Sequence, residues 1–328
     1  MNFFTTSSTN GVRHPFRVIV DKEISDHIRS WRFIILAGII LLTCFGALYT
    51  SLSNFSKVIN PSDPEDTFFF LKLFTASDGT LPSFHVFVSF LGPLLGISLG
   101  FDAINTEHNR GTLSRVLAQP VHRDYLINAK FVAALIVICV MFFAMGFLVI
   151  GIGLISIGIP PTPEEFLRIV IFILLSICYV AFWLNLAILF SVLFRQAATS
   201  ALACIAVWLF FSVFYNMIVG IIANAIAPPD IAIASEYRIV AFQNFILKLM
   251  RVAPSQLFSD ASTVLLMPNW RSLGPLTMEQ VHGAIPGPLP LVQSLLIVWS
   301  QLTALVAGTF VWFGLSYLSF MRKEIRSR

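Results

Sequence analysis

Apolar and polar positions in this chain come in long blocks rather than with the two-residue alternation of half-buried strands. Six mostly apolar runs, at about 33–51, 84–101, 126–157, 166–194, 198–226 and 291–320, reach or approach the roughly 20 residues that carry a helix across a ~30 Å hydrocarbon core. The pattern predicts an all-α, polytopic membrane protein with six transmembrane helices. Residues 12–32 follow a different rule. Phe16, Ile19, Val20, Ile24, Ile28 and Trp31 share one helical arc, with Asp21, Lys22, Asp26 and Arg29 opposite, which predicts an amphipathic helix lying along the membrane surface. Glu23 and His27 fall within or beside the apolar arc. A carboxylate there either reaches interfacial water or meets a specific cation. Residues 1–11 are polar and Ser/Thr-rich and lack the apolar stretch of a signal peptide, so they read as a disordered tail.

The connections are unequal. A polar loop from Leu52 to Pro82 carries an apolar patch, Phe68 to Phe74, expected to dip into the interface. In the second span Gly92, Gly96 and Gly100 recur every four residues, which predicts close approach of another helix. The same stretch spells Gly96-Ile-Ser-Leu-Gly100, formally a G-x-S-x-G pattern. A serine nucleophile needs a strand-to-helix elbow and a positioned base, and a mid-helix location supplies neither. The third span is long enough to be tilted. A stiff turn, Ile159-Pro-Pro-Thr-Pro163, leads into the fourth, and only Arg195 and Gln196 separate the fourth from the fifth, which forces a tight helical hairpin. The outer loop, 227–290, is expected to hold an interfacial helix around 239–250 and a second short helix, Ser255 to Met267, bounded by Pro254 and Pro268.

Composition agrees with the block pattern: 57% hydrophobic residues, only 12% charged ones and a mean hydropathy of +0.83 exclude an ordinary soluble domain. The net charge of +4 does not indicate a nucleic-acid partner, because the basic residues flank apolar runs instead of forming one patch. Fourteen Lys and Arg fall on the side holding residues 12–32, the loop 102–125 with Lys130, Arg195 and the C-terminal residues, against seven spread over the longer loops of the other side. The positive-inside rule then puts both termini in the cytoplasm of a bacterial inner or archaeal plasma membrane. Cys44, Cys139, Cys178 and Cys204 all lie inside apolar runs and read as small core residues. The six histidines lack metal-ligand spacing, and no G-x4-G-K-[ST] phosphate loop occurs, so the chain is not expected to be an enzyme, to hold a metal or to hydrolyse ATP itself.

One polar segment concentrates the remaining signal, FDAINTEHNRGTLSRVLAQPVHRDYLINAK from Phe101 to Lys130. Gly111 breaks the outgoing helix, Thr112 is a candidate N-cap, and Pro120 closes a short helix on which Leu113, Val116 and Leu117 form one apolar stripe. Asp124 sits where it favours the dipole of the next helix. On spacing alone this is equally an ordinary interfacial loop. The run Glu107, Gly111, Thr112, Leu113, then Pro120, Arg123 and Lys130, resembles the E-x3-G-T-L, P-x2-R, K pattern of permease subunits of ABC-2 type transporters. The entry helix with its Lys22-Glu23 pair and the Pro254 segment before the last span resemble that family more loosely.

The resemblance implies a type V exporter-like arrangement in which the short helix couples the permease to a separate ATPase subunit that carries ATP and Mg. The coupling residues would be Glu107, Gly111, Thr112, Leu113, Val116, Leu117, Pro120 and Arg123. It also implies a second permease chain, identical or paralogous, and a path lined by spans two and five, which points to Ser98, Tyr215 and Asn216. Two alternatives stay open. A secondary transporter or channel without an ATPase is disfavoured by span centres almost free of ionisable residues, and an intramembrane enzyme would need a dyad that the sequence does not assemble.

Overall fold

The structure, a computed structural model, describes residues 14–53, 68–109 apart from 78 and 80, 111, 122–226, 236–274 apart from 271, and 287–323. Its described residues are helical, without strands. In chain order they are α1 (Pro15–Ile28), α2 (Trp31–Ser53), α3 (Phe69–Thr75), α4 (Phe84–Gly100), a short α5 (Asn105–Asn109), α6 (Arg123–Ile157), α7 (Pro163–Leu193), α8 (Ala197–Ile226), α9 (Glu236–Met250), α10 (Pro254–Leu266) and α11 (Leu291–Arg322). Six of them, α2, α4 continued through α5, α6, α7, α8 and α11, are long and apolar enough to cross a membrane. The entry helix ends at Ile28 rather than running on to Trp31. Ser30 causes the break: its hydroxyl donates to the His27 carbonyl and accepts from Phe33 N–H at 3.3 Å, capping the start of α2.

The bundle is built around α7, which is buried along most of its length and packs against α4, α6 and α11. Close packing needs small residues at the crossing, and α4 supplies them. A Cβ on Gly96 would lie 2.5 Å from the Val180 carbonyl oxygen, and one on Gly100 would lie 2.8 Å from that of Leu184. The four-residue glycine stripe is thus the seat of α7. Just before Gly96, α4 carries Pro93, which cannot donate to the Ser89 carbonyl one turn back. Tyr179, fully buried on α7, donates its hydroxyl to that oxygen at 3.0 Å and repairs the gap.

The apolar patch after the first loop behaves differently from its expected dip into the interface. As α3, it buries Phe70, Leu71, Leu73 and Phe74 inside the protein, against Gly153 of α6, where a Cβ would meet Leu73 at 2.5 Å. Its four buried positions are apolar, while Lys72 and Thr75 stay half-buried at its edge. On α8 the regular pitch is interrupted by a π turn, Phe210–Phe214. Before it Trp208 meets Phe90 of α4 edge-on at 4.9 Å; after it Tyr215 donates to the Leu249 carbonyl of α9 at 2.7 Å.

Opposite the face that carries α1, a polar knot closes the bundle. Thr162 and Glu165 form a capping box at the start of α7, and Glu165 also accepts from Phe70 N–H at 2.9 Å. Arg168 is fully buried one turn on. Its guanidinium donates to Glu164 at 3.0 Å, to the carbonyls of Leu265 and Leu289 and to Ser294 at 3.2 Å, while Glu164 accepts from Leu291 N–H. One side chain therefore ties α7, α10 and the start of α11 together. Glu164 is 38% exposed, so losing Arg168 mainly strands the acceptors of Leu265, Leu289 and Ser294, and a buried acceptor left unpaired typically costs about 1–3 kcal/mol. Arg168→Met is expected to lose stability of that order in detergent unfolding, and Arg168→Lys to recover only part, because an ammonium lacks the planar fork; an Arg168→Met protein as stable as the parent would show that the knot contributes nothing.

Candidate functional site

The end of α4, the start of α6 and the entry helix α1 converge on one face, and an ion cluster joins them. Lys130 of α6 lies 2.9 Å from Glu23 of α1 and 2.8 Å from Glu107 of α5, with side chains only 6%, 8% and 15% exposed respectively. A buried charge needs compensation, and one ammonium here serves two carboxylates. Lys22 adds a third link, 3.0 Å from the other Glu23 oxygen. Glu23 is therefore ion-paired rather than reaching for water, and Lys130 is enclosed rather than held at the lipid boundary. The apolar arc of α1 packs beside the cluster through Val20 against Ala129 and Ala133.

Burial would push the Glu23 carboxyl up, but Lys130 and Lys22 outweigh it and hold it below its usual value. For His27, burial dominates and lowers the pKa in spite of nearby Glu23, Asp102 and Asp26, so the ring is neutral at pH 7. Beside them Arg32 pairs with Asp102 at 2.8 Å and stacks over Phe101. These groups line a polar cavity of about 690 Å³ that reaches inward to Ser98 and outward to the start of α8 at Ala197 and Ala198.

The same face fixes both ends of the central polar segment. On its incoming side the backbone N–H groups of Ile104 and Asn105 donate to Ser191, and the Asn109 side chain donates to the Arg195 carbonyl at 3.0 Å, both anchors lying at the α7–α8 turn. Gly111 follows with φ +67°, a left-handed conformation that favours glycine. On the outgoing side Arg123 donates to the carbonyls of Phe320 and Lys323 and covers the Phe320 ring, so it caps the C-terminal end of α11. Lys323 in turn reaches the Val192 carbonyl.

Thr112, Leu113, Val116, Leu117 and Pro120 lie outside the described residues, as do Arg110 and Arg115. Glu107 pairs with Lys130, while Nη2 of Arg123 is taken by the carbonyls at the end of α11. The three expected path residues are not gathered into one site: Ser98 lines the cavity and bonds its own helix at Leu95, Tyr215 is tied to α9, and Asn216 is exposed on α8. The Lys130 bridge to Glu23 spans 107 positions, and only the unexplained carboxylate on the apolar arc of α1 signalled it. Among the described residues no group of three or more metal-ligating side chains occurs.

Acidification should open this cluster from the α1 side. Both Glu23 and His27 have depressed pKa values when folded, so each contributes stability that is present above its unfolded pKa and lost as pH falls through the folded one. The His27 contribution should decline first, below its reference value of 6.5, and that of Glu23 below 4.5. The protection of α1 amides against hydrogen exchange, relative to the intrinsic rate at each pH, is expected to fall between neutral pH and pH 5 in the parent but not in His27→Phe; an equal fall in both would overturn the role of His27.

A search of curated proteins found no match. A family model described as "ABC-2 family transporter protein" matches residues 17–325, from the entry helix through the end of the last span. Six membrane-crossing helices, the surface helix clamped to the second and third spans, and this match over nearly the whole chain agree: the protein is a multi-pass membrane protein and belongs to the ABC-2 family of transporter permeases.

Proposed function

We propose that this chain is the translocation subunit of an exporter whose segment 110–121 docks on a separate ATPase subunit, with ATP and Mg bound by that partner. The observation that carries the reading is the double anchoring of that segment. One end is joined through Glu107 to Lys130 and Glu23, and the other through Arg123 to the end of α11. A push on a loop held at one end dissipates in the loop. A push on a segment riveted at both ends moves α4, α6, α1 and α11, and α4 is one of the two spans proposed to line the path.

The ion cluster suits such transmission because its geometry tolerates little slack. Shifting Glu107 either takes Lys130 with it or leaves a buried ammonium short of one carboxylate. Glu107, Gly111, Thr112 and Pro120 set the segment's shape in this reading, and Leu113, Val116 and Leu117 provide the docking face. Arg123 is a positioning residue that acts through α11. Two permease chains enclose the path. Support comes from α8, whose exposed face carries Asn216 among apolar residues, a polar group that lipid cannot satisfy and that a second chain or a hydrated path can. Ser98, Tyr215 and Asn216 remain the proposed path residues, with the polar cavity at Ser98 as its cytoplasmic approach.

Orientation is tested with single cysteines. One at His282 should react with a membrane-impermeant thiol reagent in intact cells, and one at Ser114 only after lysis; the reverse pattern would end the coupling proposal, because ATP is cytosolic. Docking is tested with Leu113→Asp plus Leu117→Asp. Each buried leucine contributes roughly 1.5–3 kcal/mol, and ~1.4 kcal/mol is tenfold in affinity, so the ATPase should no longer co-purify from detergent although the permease is present at normal level. Retention of the ATPase by that variant refutes the docking face. Glu107→Gln should keep the ATPase bound and lower substrate-stimulated ATP hydrolysis.

A further inference from the structure

The interruption between α4 and α5 comes from outside the helix. Phe101 keeps helical dihedrals, φ −62° and ψ −25°. No proline lies between Pro93 and Pro120, and none of residues 100–105 has a positive φ. Nothing in the backbone there forbids one continuous helix. Yet the rungs from Ile104 N–H to the Gly100 carbonyl and from Asn105 N–H to the Phe101 carbonyl are absent. Both amides donate instead to one hydroxyl of a different helix, that of Ser191 at the end of α7, at 2.8 and 3.2 Å. A side chain inserted into the i→i−4 ladder breaks a helix. This one belongs to a neighbour, so withdrawing it reverses the break.

The two carbonyls that lose their rungs have stand-ins. Gly100 accepts from Ala103 N–H at 3.2 Å, three residues on instead of four. Phe101 accepts from the Asn105 side-chain amide at 3.2 Å, in the place that the Asn105 backbone amide would take in a continuous helix. The second stand-in has a cost. Asn105 is 2% exposed, and its Oδ1 is buried without a hydrogen-bond partner among the described residues. In a continuous helix Ile104 and Asn105 donate to Gly100 and Phe101, the Asn105 side chain is released, and Ser191 can turn its hydroxyl to the Ala187 carbonyl of its own helix. Each arrangement satisfies the two backbone donors, one through α7 and the other through α4. The glycine stripe seats α4 on α7 as far as Gly100, so the alternative is confined to residues 101–104.

We propose that residues 101–104 form a two-position joint and that Ser191 is its catch, a positioning residue. With the catch engaged, α5 and its Glu107 are fastened to the end of α7; with it withdrawn, they extend α4 as one rod. The exchange decides which span follows the segment 110–121 when that segment is displaced, and for this last step it rests on the docking reading. Because the backbone bonds are traded one for one, a modest difference in contact with a docked partner is enough to choose between the positions.

The test uses the full chain alone in nanodiscs, with Cys44, Cys139, Cys178 and Cys204 replaced by alanine and spin labels at Thr106 and at Phe310 of α11. Thr106 lines the polar cavity, which gives its label room, and Phe310 is exposed. Pulsed electron paramagnetic resonance should give one main distance in the parent. Ser191→Ala should raise the share of a second distance about fivefold relative to the first, the factor of a typical lost cap. Adding Asn105→Ala, which also removes the stand-in donor to Phe101, should make the second distance the main one. Ser191→Ala with Asn105→Pro should instead keep the parent distance. A proline is tolerated at the first position of α5, but it has no N–H to give Phe101 and clashes with that carbonyl in a continuous helix. An unchanged distance in Ser191→Ala with Asn105→Ala, or an equal change in both double variants, overturns the joint. Because no ATPase is present, either result leaves the docking test to stand or fall separately.

Discussion

Hydrocarbon accepts no hydrogen bond, so a polar group carried into the membrane gains by finding a partner within the protein. That requirement explains most of the specific contacts. Pro93 frees a carbonyl on α4, and a tyrosine from α7 takes it. Asn185 of α7 donates to the Thr309 carbonyl of α11, and Ser316 donates back to the Asn185 carbonyl. These contacts are modest singly, about 0.6 kcal/mol for an average interhelical bond in a membrane, but they fix the rotation of two otherwise apolar cylinders about their axes. Apolar packing alone would leave that rotation loosely set.

Charge is handled at the two ends of the bundle by opposite means. At one end Lys130 bridges two carboxylates drawn from different helices, with Lys22 beside it on Glu23. At the other a single arginine spreads its donors over one carboxylate, one hydroxyl and two carbonyls. The first arrangement is electrostatic and responds to protonation or to displacement of any member. The second is held largely by backbone oxygens, which do not titrate. The bundle thus has a responsive end and a rigid end, and the responsive one carries the segment expected to meet the ATPase.

Much of the fold was legible because crossing a membrane is a constraint on composition: six apolar runs and a surface helix can be counted without knowing any contact. The glycine stripe of α4 was also readable as a packing face, though not its partner α7. The ion cluster was half legible. Glu23 on an apolar arc left open whether it met water or a cation, and the answer, Lys130 on another helix, was not readable because proximity in sequence does not report which helices meet. Arg168 read as one more loop charge. The signals were there, a Glu164–Arg168 spacing of four and a Thr162-x-x-Glu165 capping box, but burial depends on α10 and α11 closing over them. The burial of the short apolar patch at α3 was not legible because it depends on α6, whose Gly153 receives Leu73 and Phe70.

The π turn in α8 sets a phase. A π turn accommodates one more residue than a regular α-helical turn, and one residue corresponds to about 100° of rotation at 3.6 residues per turn. The two halves of α8 are therefore out of register with each other, the first aligned to α4 and the second to α9. A helix of the same composition and one residue shorter would still cross the membrane, yet it could satisfy only one of those neighbours. The wide turn lets a single span serve two interfaces, one on each side of the turn, that a uniform helix could not address together.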